Sequence, residues 1–253
     1  MLGGDVETLL RKHDIDHETS DLEVDITDID CLRKFSDGKR IEWVINCAAY
    51  TAVDRAEDEP DRAFKINADG ASNIAEIARE KGAKLIHIST DYVFDGEKQD
   101  PYTENDSPCP VGVYGKSKHQ GEENIRKTTG KYFIIRTAWL YGKNGSNFVH
   151  TMLRLFGERE TVKVVSDQWG SPTCTGDLAG SIIKIIAEDS DKYGVYHFTN
   201  EGKTNWYEFA VEIYKKAKKY RSLEKNVEIV PISTAEYPTR AKRPKNSYLL
   251  KDK

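Results

Sequence analysis

The stretch "AKLIHIST" (83–90) decides the fold class of this chain. Its apolar residues follow one another without the alternation of a half-exposed strand, which is typical of a strand buried on both faces of a parallel sheet. The runs "IEWVINCAA" (41–49) and "YFIIRTAWLYG" (132–142) have the same character. Residues 57–82 carry apolar side chains at roughly helical spacing and end at Gly82, a common helix terminator. These residues therefore predict strand, helix and strand in succession.

The same alternation continues along the chain. The sequence predicts a helix for "YGKSKHQGEENIRK" (114–127), a helix for "NFVHTMLRLFGERE" (147–160) and a strand for "TVKVVSD" (161–167). Strands joined by helices of this length imply β-α-β crossovers and an α/β fold with a doubly wound parallel sheet. After about residue 165 the pattern loosens, which predicts a smaller lobe packed on that sheet.

Composition excludes several classes of partner. The chain has 253 residues and a formal net charge of −4, so it has no overall basic bias toward nucleic acid or an anionic membrane. A Lys-rich stretch, "YKKAKKYR" (214–221), lies on a predicted helix (204–221) and is interpreted as its solvated face. No apolar run reaches eighteen residues and no cleavable apolar leader is visible, so we expect a cytoplasmic protein that binds no membrane. The four cysteines are widely spaced, which predicts neither a metal site nor a disulfide framework.

Tyr114 and Lys118 stand four residues apart on the predicted helix that begins at residue 114. Residues at this spacing share a helix face, so both side chains can reach one point. An ammonium beside a phenol favours the phenolate, and we expect Lys118 to lower the pKa of Tyr114. Taken alone, the pair is more typical of a half-exposed tyrosine above a solvated lysine, so the rest of the chain must decide.

In open α/β sheets, ligands bind just beyond the carboxyl ends of the strands. In this chain, polar side chains follow the predicted strands at that position. The ends carry Ala48–Thr51, Ser89–Asp91 and Trp139–Tyr141. A hydroxyl from Ser89 or Thr90, a phenol and an ammonium form a set suited to carbonyl reduction. The phenol can protonate the carbonyl oxygen while the hydroxyl stabilises the developing alkoxide.

Nine sequence blocks extend this constellation over nearly the whole chain. They are "NCAAYTAVDRAE" (46–57), "INADGASNIA" (66–75), "STDYVFDG" (89–96), "YGKSKHQGE" (114–122), "RTAWLYG" (136–142), "GSNFVHTMLRL" (145–155), "DQWGSPT" (167–173), "DLA" (177–179) and "PTRAKRPKNS" (238–247). In these blocks the chain resembles the extended short-chain dehydrogenase/reductase family, and within it the reductases of dTDP-linked 4-keto-6-deoxyhexoses.

The resemblance implies a Rossmann-like fold, with a dinucleotide-binding domain over residues 1–165 and a mainly substrate-binding lobe over 166–253 that shares one core with it. It implies reduction of the 4-keto group of a dTDP-linked deoxysugar by NADPH or NADH. Mg²⁺ receives no support from the sequence, and a homodimer is one assembly that the resemblance allows.

The resemblance also assigns roles to residues of this chain. It implies Tyr114 as the catalytic acid, Lys118 as its partner and Thr90 as the second hydroxyl. The residues implied at the cofactor are Gly3, Asp25, Ile26, Ala48, Ala49, Tyr50, Thr51, Tyr114 and Lys118. Those implied at the substrate are Thr90, Asp91, Trp139, Asn147 and Arg243.

Several of these residues have a structural alternative. Trp139 stands in an apolar strand and could belong to the core, Asp25 could cap a helix beginning near Thr27, and Arg243 could be a solvated charge. Two further features are interpreted structurally. Asp54 and Glu57 fit a first-turn charge pattern favoured by the helix dipole, and His87 fits a core position.

The N-terminus departs from the family pattern. The family opens with a strand and a Gly-rich turn, whereas this chain opens "MLGGDVETLL", in which only Gly3 corresponds to the end of that turn. One explanation is a fragment or misplaced start of an ordinary reductase; another is a degenerate relative with weakened cofactor binding. Two other functions are weighed against reduction, an epimerase or dehydratase of the same fold and a non-catalytic regulatory subunit.

Overall fold

The structure is a computed structural model that describes residues 1–220, 223 and 225–253. The helices in this part of the chain are α1 (Leu2–Lys12), α2 (Ile29–Ser36), α3 (Val53–Ala56), α4 (Pro60–Phe64), α5 (Ala71–Lys81), α6 (Val113–Thr128), α7 (Phe148–Glu158), α8 (Thr175–Ala187) and α9 (Trp206–Lys219). The strands are β1 (Trp43–Asn46), β2 (Lys84–Thr90), β3 (Tyr132–Thr137), β4 (Leu140–Tyr141), β5 (Thr161–Val165), β6 (Trp169–Gly170), β7 (Thr173–Cys174), β8 (Gly194–His197), β9 (Thr204–Asn205) and β10 (Glu228–Ile232).

A parallel sheet with the strand order β1-β2-β3-β8 forms the centre of the molecule. One face packs on α2, α5 and α6 through a core that includes Leu32, Ile77 and Ile125. The other face packs on α1 and α8 through a core that includes Val6 and Ile182. Burial on both faces explains why the strands are continuous apolar runs in the sequence. The predicted α/β fold with a doubly wound parallel sheet is confirmed.

The segment predicted as one helix over 57–82 is divided into three parts. Pro60 occupies the first turn of α4, where its missing N–H costs nothing. A π-helical turn (Lys65–Gly70) then connects α4 to α5, which ends at Gly82 in the left-handed conformation (φ +69°). Inside the π turn the Asn67 side chain accepts a hydrogen bond from Tyr50 N at 2.8 Å. The predicted helix terminator is therefore correct, and the predicted continuity is wrong.

The third strand is shorter than residues 132–142. β3 ends at Thr137, and Trp139 has a φ of +51°, so the chain turns there. Beyond the turn, β4 pairs with β7 and not with the main sheet. A positive φ at a bulky residue requires support from its surroundings, and Trp139 receives it by packing.

A smaller lobe lies beside the sheet. It is built from the parallel pair β5 and β10 with α7 and α9. Residues after 165 also contribute β8 and α8 to the main sheet and its covering layer, so the chain crosses between the two lobes. The predicted helix over 204–221 is observed as α9, and residue 221 lies outside the described residues. Across the described ranges no helix combines the length and apolar character needed to span a bilayer.

Candidate active site

The first part of the site is the contact between α6 and the carboxyl end of β2. Two glycines of α6 allow close approach to its neighbours. A Cβ on Gly115 would lie 2.1 Å from Tyr92 O, just after β2, and a Cβ on Gly121 would lie 2.2 Å from Asn67 O in the π turn. The start of α6 is fixed by Glu57, whose side chain accepts a hydrogen bond from Val113 N at 2.8 Å. This close approach places the face of α6 bearing residues 114 and 118 against β2.

Lys118 is buried, with 1% of its surface exposed. Its Nζ donates a hydrogen bond to Ile88 O at 2.6 Å and lies 3.3 Å from Nε2 of His87. Burial lowers the pKa of Lys118 to about 8, against the opposing attraction of Glu122. The interpretation of Lys118 as a solvated charge is therefore wrong.

Tyr114 is half-buried at the same edge, with its ring 5.5 Å from that of Tyr92 in an edge-on contact. Burial raises the pKa of Tyr114 to about 12, and hydrogen bonding with Thr90 opposes the rise. The expectation that Lys118 lowers this pKa is wrong for this structure. The Lys118 amine is directed at His87 and Ile88 O, so desolvation dominates the environment of the phenol.

Thr90 and Asp91 complete the group. Thr90 Oγ1 donates to Asp91 Oδ1 at 2.9 Å and accepts from Tyr92 N at 3.2 Å. Burial raises the pKa of Asp91 to about 6, although hydrogen bonds from Ser247 and Thr90 act in the opposite direction. The structure thus brings Thr90, Asp91, Tyr114 and Lys118 to one edge of the sheet, as the sequence predicts.

The raised pKa of Asp91 predicts a pH-dependent cost to folding. In the unfolded chain this carboxyl loses its proton near its ordinary pKa of 3.8, whereas the folded carboxyl holds its proton up to about pH 6. Stability linked to this group is therefore fully present below pH 3.8 and is lost as the pH rises through about 6. We expect wild type to lose on the order of 2 kcal/mol relative to Asp91→Asn between about pH 4 and pH 7, measured by denaturant unfolding at several pH values. A stability difference that does not change with pH would contradict this prediction.

Ion pairs hold the segment 238–247, called the strap below, to α3 and the residues after it. Arg243 Nη2 pairs with Asp54 Oδ2 at 2.5 Å, and Ala241 N donates to Asp54 Oδ1 at 3.0 Å. Arg240 makes a second, exposed pair with Asp58. Asp54 does lie in the first turn of α3, but Glu57 follows the last turn, so the interpretation of these two acids as one first-turn charge pattern is wrong.

Arg243 is not a solvated charge. Its side chain is 18% exposed, and its Nη1 is buried with no hydrogen-bond partner. A guanidinium with one free, buried N–H₂ group fits an additional anionic oxygen.

Trp139 and Asn147 both have well-defined structural contacts. The Trp139 ring stacks on Trp206 with 3.7 Å between ring centroids, and a Cβ on Gly170 would lie 2.9 Å from it. The Asn147 side chain caps α7 by accepting from His150 N at 3.1 Å. A substrate contact for either residue stays a prediction.

Six of the predicted cofactor residues lie in the loop after β1 (residues 48–51) and just before α2 (residues 25 and 26). Ala48 and Thr51 are exposed in the loop after β1, Ala49 is partly exposed and the Tyr50 ring is buried, with its hydroxyl bonded to Glu59. The Ile26 side chain packs on Gly70, where a Cβ would lie 2.7 Å from it. Asp25 accepts a hydrogen bond from Thr27 N but does not cap a helix, because α2 begins at Ile29 with Asp28 as its cap.

The first turn of α1 fits a phosphate group. A Cβ on Gly3 would lie 3.7 Å from Cys47 Cβ, so α1 begins next to the end of β1. No side chain makes a capping hydrogen bond at this helix start. The first N–H groups of α1 have the chemistry that binds phosphate at helix N-termini.

Three polar residues at the site were missed or misinterpreted from the sequence. Asn67 joins the π turn to Tyr50 and to Ser117 Oγ, and Glu122 forms a buried ion pair with Arg136. His87 is buried, as predicted for a core residue, but it also contacts Lys118. For Glu122 the signal was present in the sequence, since it stands one helical turn beyond Lys118 on the same helix.

Comparison with known proteins gives matches over the whole chain. The family model described as "RmlD substrate binding domain" matches residues 1–253. A dTDP-4-dehydrorhamnose reductase of Aggregatibacter actinomycetemcomitans is 46% identical over 232 residues, covering 90% of this chain and 79% of that protein.

Solved structures agree with this match. A dTDP-4-dehydrorhamnose reductase from Bacillus anthracis in complex with NADP superimposes with a TM-score of 0.93 at 43% identity, covering 99% of this chain and 87% of that one. A UDP-glucose 4-epimerase from Thermus thermophilus in complex with NAD gives a TM-score of 0.78 at 17% identity, covering 99% of this chain and 88% of the other. The second likeness concerns the fold alone.

Proposed function

This chain belongs to the RmlD substrate-binding-domain family, and we propose that it reduces the 4-keto group of dTDP-4-dehydro-6-deoxy-L-mannose to give dTDP-L-rhamnose, with NADPH or NADH as the reductant. The observation that carries the proposal is the meeting of Thr90, Tyr114 and Lys118 at one sheet edge in a chain that is 46% identical to a dTDP-4-dehydrorhamnose reductase. The NADP bound to the structural relative favours NADPH.

The proposed mechanism assigns a proton donor to the site. When bound, the dinucleotide supplies the hydride for the carbonyl carbon. Tyr114 donates its proton to the carbonyl oxygen, and a phenol with a pKa of about 12 keeps that proton available at neutral pH. The transfer is favourable because an alkoxide is a stronger base than a phenolate. Thr90 turns its single O–H from Asp91 to the same oxygen as the charge on that oxygen develops.

Lys118 and the loop after β1 hold the dinucleotide in this proposal. Lys118 lies one helical turn from Tyr114 and presents an N–H to the nicotinamide ribose. Gly3 brings the first turn of α1 to the phosphates, and Asp25 and Ile26 lie toward the adenine. The backbone and side chains of residues 48–51 line the groove between them.

Arg243 and the strap hold the substrate in this proposal. The free Nη1 of Arg243 binds a pyrophosphate oxygen, while Nη2 stays on Asp54. Asp91 and Trp139 lie toward the sugar, and Asn147 lies toward its nucleotide. The cytoplasmic location and a homodimer belong to the same proposal.

The reaction is tested with purified protein, dTDP-4-keto-6-deoxyhexose and each nicotinamide in turn. We expect oxidation of one nicotinamide per molecule of substrate, followed by its absorbance, with the 4-hydroxy sugar as product. An epimerase or dehydratase would convert the sugar without net consumption of the nicotinamide, and a regulatory subunit would do neither. Either of those outcomes would refute the proposal.

Arg243→Met is expected to raise KM for the sugar nucleotide by about tenfold or more with little change in kcat, because a charge-assisted hydrogen bond to the pyrophosphate is lost. The matched control is Arg240→Met on the same strap. Its guanidinium pairs with Asp58 and is 68% exposed, so we expect a change in KM of less than about threefold. Equal effects of the two substitutions on KM, measured from initial rates, would contradict the assignment.

A further inference from the structure

Three buried polar side chains form a row beneath the proposed catalytic edge. Asn46 ends β1, His87 faces it across the register of β2, and Lys118 reaches them from α6. Asn46 Nδ2 lies 3.1 Å from His87 Nδ1, and His87 Nε2 lies 3.3 Å from Lys118 Nζ. The three residues are 3%, 1% and 1% exposed, so water does not take the place of any of these contacts.

The direction of the first hydrogen bond is fixed by a neighbouring backbone group. Ala48 N donates to Asn46 Oδ1 at 3.0 Å, and a backbone N–H can only donate. Nδ2 of Asn46 is therefore the atom that faces His87, and an amide nitrogen can also only donate. His87 Nδ1 must then be the acceptor, so the imidazole proton resides on Nε2.

This tautomer directs an N–H at Lys118. A protonated ε-ammonium has no lone pair with which to accept that hydrogen bond, whereas an uncharged amine can accept it and still donate to Ile88 O. We propose that His87 is a positioning residue for Lys118: Asn46 holds the imidazole as the Nε2–H tautomer, and this N–H favours the uncharged amine of Lys118 in the ligand-free site. The proposal rests on the proposed function only for its effect on turnover.

The charges around the row agree with this assignment. Burial lowers the pKa of His87 well below its ordinary value, so its imidazole is neutral. Burial raises the pKa of the Cys47 thiol to about 11, so that neighbour is neutral as well. Glu122 attracts a proton to Lys118, but its carboxylate is bound by the Arg136 guanidinium. Burial outweighs that attraction and brings the pKa of Lys118 down to about 8.

The tautomer is measured directly by ¹⁵N NMR of the imidazole groups at about pH 9, above the pKa of about 8 of Lys118, where its amine is uncharged. The protein has six histidines, and the His87 signals are assigned by their loss in His87→Gln. We expect a neutral imidazole with its proton on Nε2. An Nδ1–H tautomer or an imidazolium in the wild type would overturn the proposal, whether or not the protein is a reductase.

Turnover provides the second readout. Asn46→Asp keeps an acceptor for Ala48 N but places a carboxylate oxygen at His87 Nδ1, which draws the imidazole proton to that nitrogen. Nε2 then accepts from the ammonium of Lys118, which raises the pKa of that group. Because an ammonium binds the ribose oxygens more strongly than an amine, we expect the alkaline limb of the pH profile of kcat/KM to move up by about one pH unit. The matched control is Asn205→Asp, a buried cap of α9 outside this row, which is expected to leave the limb in place.

The two readouts separate failure of the inference from failure of the proposed function. Absence of any reductase activity together with the Nε2–H tautomer would refute the proposed function alone. An alkaline limb that is the same in Asn46→Asp, Asn205→Asp and wild type would refute the role of His87 in an active reductase.

Discussion

Tyr114→Phe is expected to lower kcat for reduction by about a hundredfold or more while KM for the sugar nucleotide changes by less than about threefold. The substitution removes the proton donor and keeps the ring, so the edge-on contact with Tyr92 is preserved. Since the phenol has a pKa of about 12, it is protonated at neutral pH, and phenylalanine offers no proton in its place. The measurement is steady-state kinetics with a saturating nicotinamide.

The neighbouring phenol provides the control for this result. Tyr92 lies in contact with Tyr114, and burial raises the pKa of Tyr92 while Arg243 opposes the rise, so its phenol is also protonated. Tyr92→Phe is expected to change kcat by less than about tenfold, because this phenol lies in the field of Arg243 and has no part in the proposed proton transfer. A kcat in Tyr114→Phe similar to that in Tyr92→Phe would remove Tyr114 from the role of acid.

Glu122→Gln is expected to destabilise the protein by about 3–5 kcal/mol, because it leaves the buried guanidinium of Arg136 without a counter-ion. The ion pair is bidentate, with Arg136 Nε and Nη2 at 2.9 and 2.6 Å from the two carboxylate oxygens, and Ser89 Oγ donates to the same group at 2.5 Å. The side chains of Arg136 and Glu122 are 1% and 0% exposed. For a chain of this length the loss corresponds to a fall in Tm of about 10 °C or more, measured by thermal unfolding.

Two further variants distinguish a buried ion pair from the simple loss of a charge. Glu158→Gln breaks the exposed pair with Arg154 and is expected to cost less than about 1 kcal/mol. The double substitution Glu122→Gln with Arg136→Met is expected to be more stable than Glu122→Gln alone, since no unpaired charge is left. A double variant less stable than both single variants would contradict this account.

The pH dependence of the same pair has a definite sign. Burial by itself would raise the pKa of Glu122, but hydrogen bonds from Arg136 and its charge hold the pKa well below the ordinary value of 4.5. The associated stability is therefore present above pH 4.5 and is lost as the pH falls toward the folded-state pKa. This is opposite in sign to the effect of Asp91, so the two carboxyl groups are separable by their variants.

Much of the fold and of the candidate site could be predicted from the sequence because both depend on local patterns. Continuous apolar runs identified β1 and β2, and parallel strands necessarily end at one edge, which brought residues 89–91 to the site. The spacing of Tyr114 and Lys118 placed both on one face of α6. These inferences need only the hydrophobic periodicity of each helix or strand and the direction in which the strands run.

The inferences that failed depend on partners distant in sequence. The helix predicted over 57–82 is interrupted where the Asn67 side chain accepts a hydrogen bond from Tyr50 N. The hydrophobic pattern of a segment gives no information about hydrogen bonds to residues outside it. The shift in the pKa of Tyr114 was predicted with the wrong sign. The orientation of Lys118 on α6 is set by His87 and Ile88, which lie on β2. Burial of a phenol is likewise a property of the assembled fold.

The position of α6 in the site depends on the absence of a Cβ atom at its two glycines, Gly115 and Gly121. With 2.2 Å or less available to a Cβ at either Gly115 or Gly121, the helix rests directly on the carbonyl oxygens of residues 92 and 67. A larger residue at either position would push α6 outward. The phenol of Tyr114 and the amine of Lys118 would then move away from β2 together, without a chemical change in either group. Mutational change at these two positions is thus coupled to the reaction through distance alone, even though neither residue has a side chain with which to take part in it.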